Sequence, residues 1–243
     1  MRELVKIEGR LLVREPVTLI WGIVFPILLL AGLGALPGSR EADADLGGLR
    51  FVDVYVPVMI AFVFAMLGVS ALPSTLAMYR ERGVLRRLGT TPLPVWRVLA
   101  AQAIVHVGVI VAAVLVMVGG ARIAFGVTLP EQPLGFVLAL ALTAAAVLGV
   151  GLVIAAVATT GKLASGIGTA LFFPLMFFAG LWFPRDAMPD WLATISDFTP
   201  LGAAVGALQT AMHEGWPELT HLAVLAGFAV AGAALAGRLF RWD

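Results

Sequence analysis

Residues 79–94 read YRERGVLRRLGTTPLP, and the rest of the chain is arranged around this stretch. Arg80, Arg82, Arg86 and Arg87 make it the most basic segment of the sequence, yet it lies between two long apolar runs, residues 51–78 and 98–121. It also carries an apolar stripe, Val84, Leu85 and Leu88, which a fully solvated loop does not need. Gly89 suits a helix end, and Thr90 or Thr91 suits the cap of the next helix with Pro92 in its first turn. The stretch therefore reads as a short amphipathic helix bounded by its own sequence. A topology-fixing arginine loop is the plainer reading of the same residues.

Four further apolar runs complete the pattern: residues 17–36, 134–160, 163–183 and 219–237. About 20 apolar residues cross a bilayer core, so the six runs predict an all-α polytopic membrane protein with six transmembrane helices. Composition agrees. Of 243 residues, 60% are hydrophobic and 13% charged, about half the charged share of a soluble domain. Net charge is +1, which implies no bulk attraction to nucleic acid. With no cysteine, disulfides and thiolate metal sites are excluded. Pro26, Pro57, Pro73 and Pro174 fall inside runs. Such breaks persist where neighbours satisfy the freed carbonyls, so the helices are expected to pack together and to kink.

Charge fixes the expected orientation. One set of connections holds Arg2, Lys6, Arg10, Arg14, the four central arginines, Arg97, Lys162, Arg238 and Arg241. The other set holds four arginines among many carboxylates, including Glu41, Asp43, Glu131, Asp190, Glu214 and Glu218. The positive-inside bias puts both termini and residues 79–94 in the cytoplasm. Trp21, Trp96, Trp182, Trp191 and Trp242 sit near run ends, as an aromatic belt requires.

Two flanking segments add detail. Residues 1–15 place Leu4, Ile7, Leu11 and Leu12 at helical spacing, with Lys6, Glu8, Arg10 and Arg14 opposite. This fits an interfacial helix, or a charged tail that fixes topology. The segment does not read as a cleaved signal peptide. Residues 184–218 are too long for a plain turn. They contain an apolar piece, 201–212, bounded by Pro200 and His213-Glu214, and predict one or two short outer helices. These are either re-entrant or amphipathic on the outer surface.

The sequence from Glu81, Arg82, Gly83, Val84, Leu85 and Arg86 through Leu88 to Thr91, Pro92 and Leu93 resembles the cytoplasmic motif of type 2 ATP-binding-cassette exporter permeases, daunorubicin-resistance-type membrane subunits among them. A second match, Pro184, Pro189, Trp191 and Pro200, resembles that family's outer loop after the fifth span. Arg86 departs from the pattern, since relatives often carry an acidic residue there. With the six-span layout, the likeness extends over nearly the whole chain as one transmembrane permease domain, 1–243.

The resemblance implies a coupling helix over residues 79–93, docked into a separate ABC ATPase subunit present in two copies. It implies a second permease copy, as homodimer or paralogue, and membrane lipids around the bundle. ATP and Mg would be held by the partner, with no cofactor bound by this chain. The expected setting is a bacterial or archaeal plasma membrane, and the expected cargo a hydrophobic or amphipathic drug or lipid moved outward. Residue patterns agree that ATP binds elsewhere. A phosphate-binding loop needs Gly-x4-Gly-Lys-Ser/Thr, whereas Gly161-Lys162 is followed by Leu163.

Other constellations are weaker. His213, Glu218 and His221 include one Glu-x-x-His spacing, but Pro217 breaks a His-Glu-x-x-His pattern, and no metal site is expected. Gln102 and His106 lie one turn apart within a span. They either face a cavity or bond helix to helix. Gly161, Ser165 and Thr169 form a small-residue ladder, suited to a dimer seam or to packing within one protomer. The competing classes are an ion-coupled secondary transporter and a membrane-embedded assembly factor. The first usually needs ionisable groups mid-membrane, and the second leaves residues 79–94 unexplained.

Overall fold

The computed structural model describes residues 1–46, 48–84, 87 and 96–239. Nine α-helices account for the described chain: α1 Arg2–Val13, α2 Pro16–Gly34, α3 Phe51–Glu81, α4 Trp96–Phe125, α5 Pro133–Val157, α6 Gly161–Phe178, α7 Asp190–Asp197, α8 Pro200–His213 and α9 Leu219–Leu239. Six of them, α2 to α6 and α9, are long and apolar enough to cross a membrane. The six runs thus appear as six helices, with ends shifted by a few residues. The fifth stops earliest. Gly180, at φ +89°, turns the chain after Phe178, and the Leu181 N–H closes back on the Met176 carbonyl at 3.0 Å.

Helix α3 is the axis of the bundle. Its most apolar window is 83% buried, against 22% in α2 and 17% in α6. Residues Val52 to Ala65 are buried almost without interruption. A helix apolar on every side belongs in the interior, and α3 accordingly packs on α2, α4, α5, α6 and α8.

Two of the four internal prolines coincide with a widened π turn. Pro26 cannot donate to the Gly22 carbonyl, nor Pro73 to that of Val69. Gly22 lies in a π segment, Ile20–Val24, and Val69 in another, Ala65–Ala71. Inserting one residue per turn relieves the clash and lets the helix continue.

Glycine sets how closely the helices approach. A Cβ on Gly151 of α5 would overlap the Gly68 carbonyl oxygen of α3. One on Gly232 of α9 would stand 2.7 Å from the Gly149 Cα. Backbones in direct contact gain dispersion along their length, the usual source of adhesion between helices in lipid. In the fifth span, Gly161 and Gly168 lie against Ser74, Met78 and Val69 of α3, and Ala164 between them is buried. Ser165 and Thr169 are exposed. The seam against α3 is therefore Gly161-Ala164-Gly168, not the ladder through Ser165 and Thr169.

The segment between α6 and α9 folds as two helices at right order but not as an amphipathic surface pair. The first, α7, keeps Trp191 and Ile195 exposed, with exposed Phe198 just after its end. The second, α8, is enclosed on nearly all sides: Leu201, Ala203, Ala204, Val205, Ala207, Leu208, Ala211 and Met212 have no measurable exposure. It packs among α3, α5, α6 and α9. Thr199 caps it by accepting from the Gly202 N–H at 3.1 Å, with Pro200 in the first turn.

Candidate coupling site

The C-terminal end of α3 carries the first residues of the central arginine stretch. Three consecutive residues there are each bonded to a different element. Tyr79 donates its hydroxyl to Glu8 Oε2 of α1 at 2.8 Å. Arg80 donates to the Ala156 carbonyl at 3.3 Å and also to that of Ala158, at the C-terminal end of α5. Glu81 Oε2 accepts from the Gly161 N–H at 3.0 Å, at the start of α6. A cation thus meets helix-end carbonyls, and an anion meets a helix-start amide. Both placements complement the helix dipoles. Thr160 completes the cap of α6, its Oγ1 accepting from the Leu163 N–H at 3.2 Å.

Gly83 ends α3. It adopts φ +67°, and its N–H donates to the Arg80 carbonyl at 2.9 Å. A side chain is disfavoured at such a helix-terminating residue. Beyond it, Val84 and Arg87 have helical geometry, and the Arg87 N–H donates to the Gly83 carbonyl at 3.1 Å. Arg82 is exposed and Val84 half-buried. Leu85, Arg86, Leu88, Thr91 and Pro92 lie outside the described residues.

Glu8 was legible in the sequence only as part of a polar face. In the structure it is buried, 7% exposed, while Ile7 and Leu11 are exposed. Its Oε2 accepts from both Tyr79 and the Gln102 amide, the latter at 2.6 Å. Burial raises the Glu8 carboxyl above its usual range, and the hydrogen bond from Tyr79 partly opposes that shift. Gln102 and His106 of α4 therefore lie on the face that receives α1. His106 Nδ1 is 2.8 Å from the Gln102 backbone carbonyl, which can only accept, so Nδ1 carries the proton. The space they share with Glu8 and Tyr79 is about 10 Å³, room for one water at most.

Pro184, Pro189, Trp191 and Pro200 frame the α7–α8 insert. Pro189 precedes α7, Trp191 stands exposed in its first turn, and Pro200 begins α8. Pro184 introduces the turn Arg185–Ala187. From that turn Arg185 ties the insert together, donating to the Gly202 carbonyl at 2.6 Å and pairing with Asp197.

Residues 1–213 match the family model described as ABC-2 type transporter. The chain belongs to the ABC-2 type transporter family. No curated protein matches it individually. As a member, it is a multi-pass membrane permease subunit of an ABC transporter, and the subunit itself is not catalytic. The match includes both the arginine stretch and the α7–α8 insert.

The ABC-2 permease also has an aromatic crevice that the sequence did not disclose. Trp21 and Phe25 of α2, Tyr55, Phe62 and Met66 of α3, Phe172 of α6, and Trp182 line a space of about 450 Å³. The rings form a connected series. Trp21–Phe25, Phe25–Phe62, Phe62–Phe172, Phe172–Phe173 and Phe173–Trp182 have centroids 5.1, 5.5, 5.3, 5.7 and 6.1 Å apart. Trp21 and Trp182 were readable as belt residues from their positions near run ends. Only the packing of three spans shows that they share one crevice. Among the described residues, no three His, Asp or Glu side chains converge as metal ligands.

Proposed function

We propose that this ABC-2 permease exports a hydrophobic or amphipathic substrate, driven by a separate pair of ABC ATPase subunits that dock on residues 79–94. Leu85 and Leu88 supply the apolar docking face, and Arg82, Arg86 and Arg87 its polar rim. The observation that carries the reading is the triple attachment of Tyr79, Arg80 and Glu81 to α1, α5 and α6. A displacement of the stretch cannot stay local, because each neighbour is bonded to the residues that anchor it. ATP-driven closure then biases a bundle with two packings. ATP and Mg reside in the partner, where the phosphate-binding loop absent from this sequence must lie.

The aromatic crevice of α2, α3 and α6 supports an apolar or amphipathic cargo, since connected ring faces hold flat hydrophobic groups. Exposed Phe173, Phe177 and Trp182 beside it support a second permease copy facing this side. The charge distribution supports both termini being cytoplasmic, and the setting we propose is a bacterial or archaeal plasma membrane. The resemblance of the arginine motif supports placing the permease with the daunorubicin-resistance-type membrane subunits.

Proteoliposomes containing the permease and its ATPase test the proposal. A fluorescent hydrophobic amphiphile is expected to accumulate on the side opposite the ATPase only when ATP is supplied. Phe62→Ala and Phe172→Ala should reduce this accumulation. Accumulation that follows an ion gradient and ignores ATP contradicts the proposal.

A further inference from the structure

A polar cavity of about 350 Å³ lies at the end of the bundle opposite Tyr79–Glu81, between α7, α8 and the start of α9. Asp190, Gln209, His213, Glu214, Glu218 and His221 are among its walls. Arg185 also lines it, but that guanidinium is matched by Asp197. Three carboxylates, Asp190, Glu214 and Glu218, thus face the space with no second cation lining it among the described residues.

The decisive group is His221, whose side chain is 7% exposed. Its Nε2 lies 3.0 Å from Asp197 Oδ1. An ionised carboxylate only accepts, so Nε2 bears a ring proton, and the singly protonated imidazole presents Nδ1 as an acceptor. Nδ1 is buried and has no hydrogen-bond partner among the described residues. The nearest carboxylate oxygen, Glu218 Oε2, stands 3.9 Å away and is itself an acceptor. His213, across the same cavity, likewise has a buried Nε2 without a partner. Two acceptors 3.9 Å apart are complemented by a donor carrying at least two N–H bonds and a positive charge, each leg at ordinary hydrogen-bond length.

The backbone is shaped to keep this arrangement open. A Cβ on Gly206 of α8 would stand 2.6 Å from both Arg185 Nη1 and the His221 ring. Only glycine there lets the guanidinium and the imidazole reach Asp197 together.

We propose that this cavity binds the primary ammonium group of a small or amphipathic ligand, held between His221 Nδ1 and Glu218, with Asp190 and Glu214 supplying the field. Choline-like quaternary groups lack the N–H donors that the site requires. The inference concerns this end of the molecule alone and does not depend on ATPase docking at the other.

The chain has three histidines, so ring signals of the full-length protein in lipid nanodiscs, labelled with ¹⁵N-histidine, are few enough to assign. Addition of n-butylammonium should move the His221 and His213 signals along a saturable curve and leave His106 still. Tetramethylammonium, of equal charge but without N–H, should not reproduce the shift. Glu218→Gln, at a side chain that is 63% exposed and so tolerant of change, should weaken n-butylammonium binding at least tenfold. Three results overturn the proposal: no saturable shift, an equal shift with tetramethylammonium, or a His221 ring already doubly protonated at neutral pH in the free protein.

Discussion

Replacing Glu8 by alanine tests the anchoring of α1 directly. One carboxylate oxygen accepts from Tyr79 at 2.8 Å and from Gln102 at 2.6 Å. Without it, the buried Gln102 amide and the half-buried Tyr79 hydroxyl lose their acceptor. A buried unsatisfied group costs about 1–3 kcal/mol, so with Gln102 alone counted in full the docked state of α1 loses roughly 1–3 kcal/mol. The chain can avoid most of that cost by letting α1 lift away and water reach both donors. The expected response is therefore detachment of α1 with the bundle intact. At 1.4 kcal/mol per factor of ten, even the lower bound raises the detached population roughly fivefold. A spin label on Ile7→Cys reads this cleanly, because Ile7 is exposed and the chain has no native cysteine. Glu8→Ala should add a mobile spectral component. Glu8→Gln, which keeps an acceptor oxygen, should remain close to the parent, and Tyr79→Phe should fall between. A label equally immobile in Glu8→Ala and parent refutes the assignment of Glu8 as the anchor.

Further outcomes follow from the same geometry. Because burial raises the Glu8 carboxyl above its usual value, the docked helix binds that proton more tightly than the free helix. Docking of α1 should be firmest below the ordinary carboxylate range and weaken as pH rises through the elevated value; the Ile7→Cys label should become more mobile in that direction, and the opposite trend refutes the shift. Gly151→Ala should cost on the order of 1–3 kcal/mol or more, since its new methyl meets a backbone oxygen that cannot swing aside. A lower Tm in detergent checks this, and an unchanged Tm contradicts the close α3–α5 contact. Arg82→Cys should be labelled by an impermeant reagent only from the cytoplasm, and Glu214→Cys only from outside; the reverse pattern overturns the orientation.

The six spans were legible because each is a continuous apolar run, and a bilayer core accepts little else. The inserted helix was legible in place but not in burial. Residues 201–212 are short and apolar, which suits either a surface helix or an enclosed one, and only the packing of α3, α5, α6 and α9 decides. The role of Glu8 was hidden for a different reason. Its partners stand 71 and 94 residues away, and helical periodicity counts any carboxylate as water-facing. Arg80 and Glu81 read as members of a charged cluster. Their assignment to opposite helix ends depends on where the α5–α6 turn falls. Within one protomer the small-residue seam runs through Ala164 and Gly168, not through the exposed Ser165 and Thr169, because its register is fixed by α3 and not by the fifth span alone.

The central claim is that the arginine stretch at the foot of α3 receives force from an ATP-hydrolysing partner. Co-purification of the permease with its ABC ATPase, parent against Leu85→Glu, tests this most directly. The account predicts that the ATPase is retained by the parent and lost by Leu85→Glu, while the variant still inserts and elutes as a folded bundle. Equal retention of the ATPase by both proteins would contradict it.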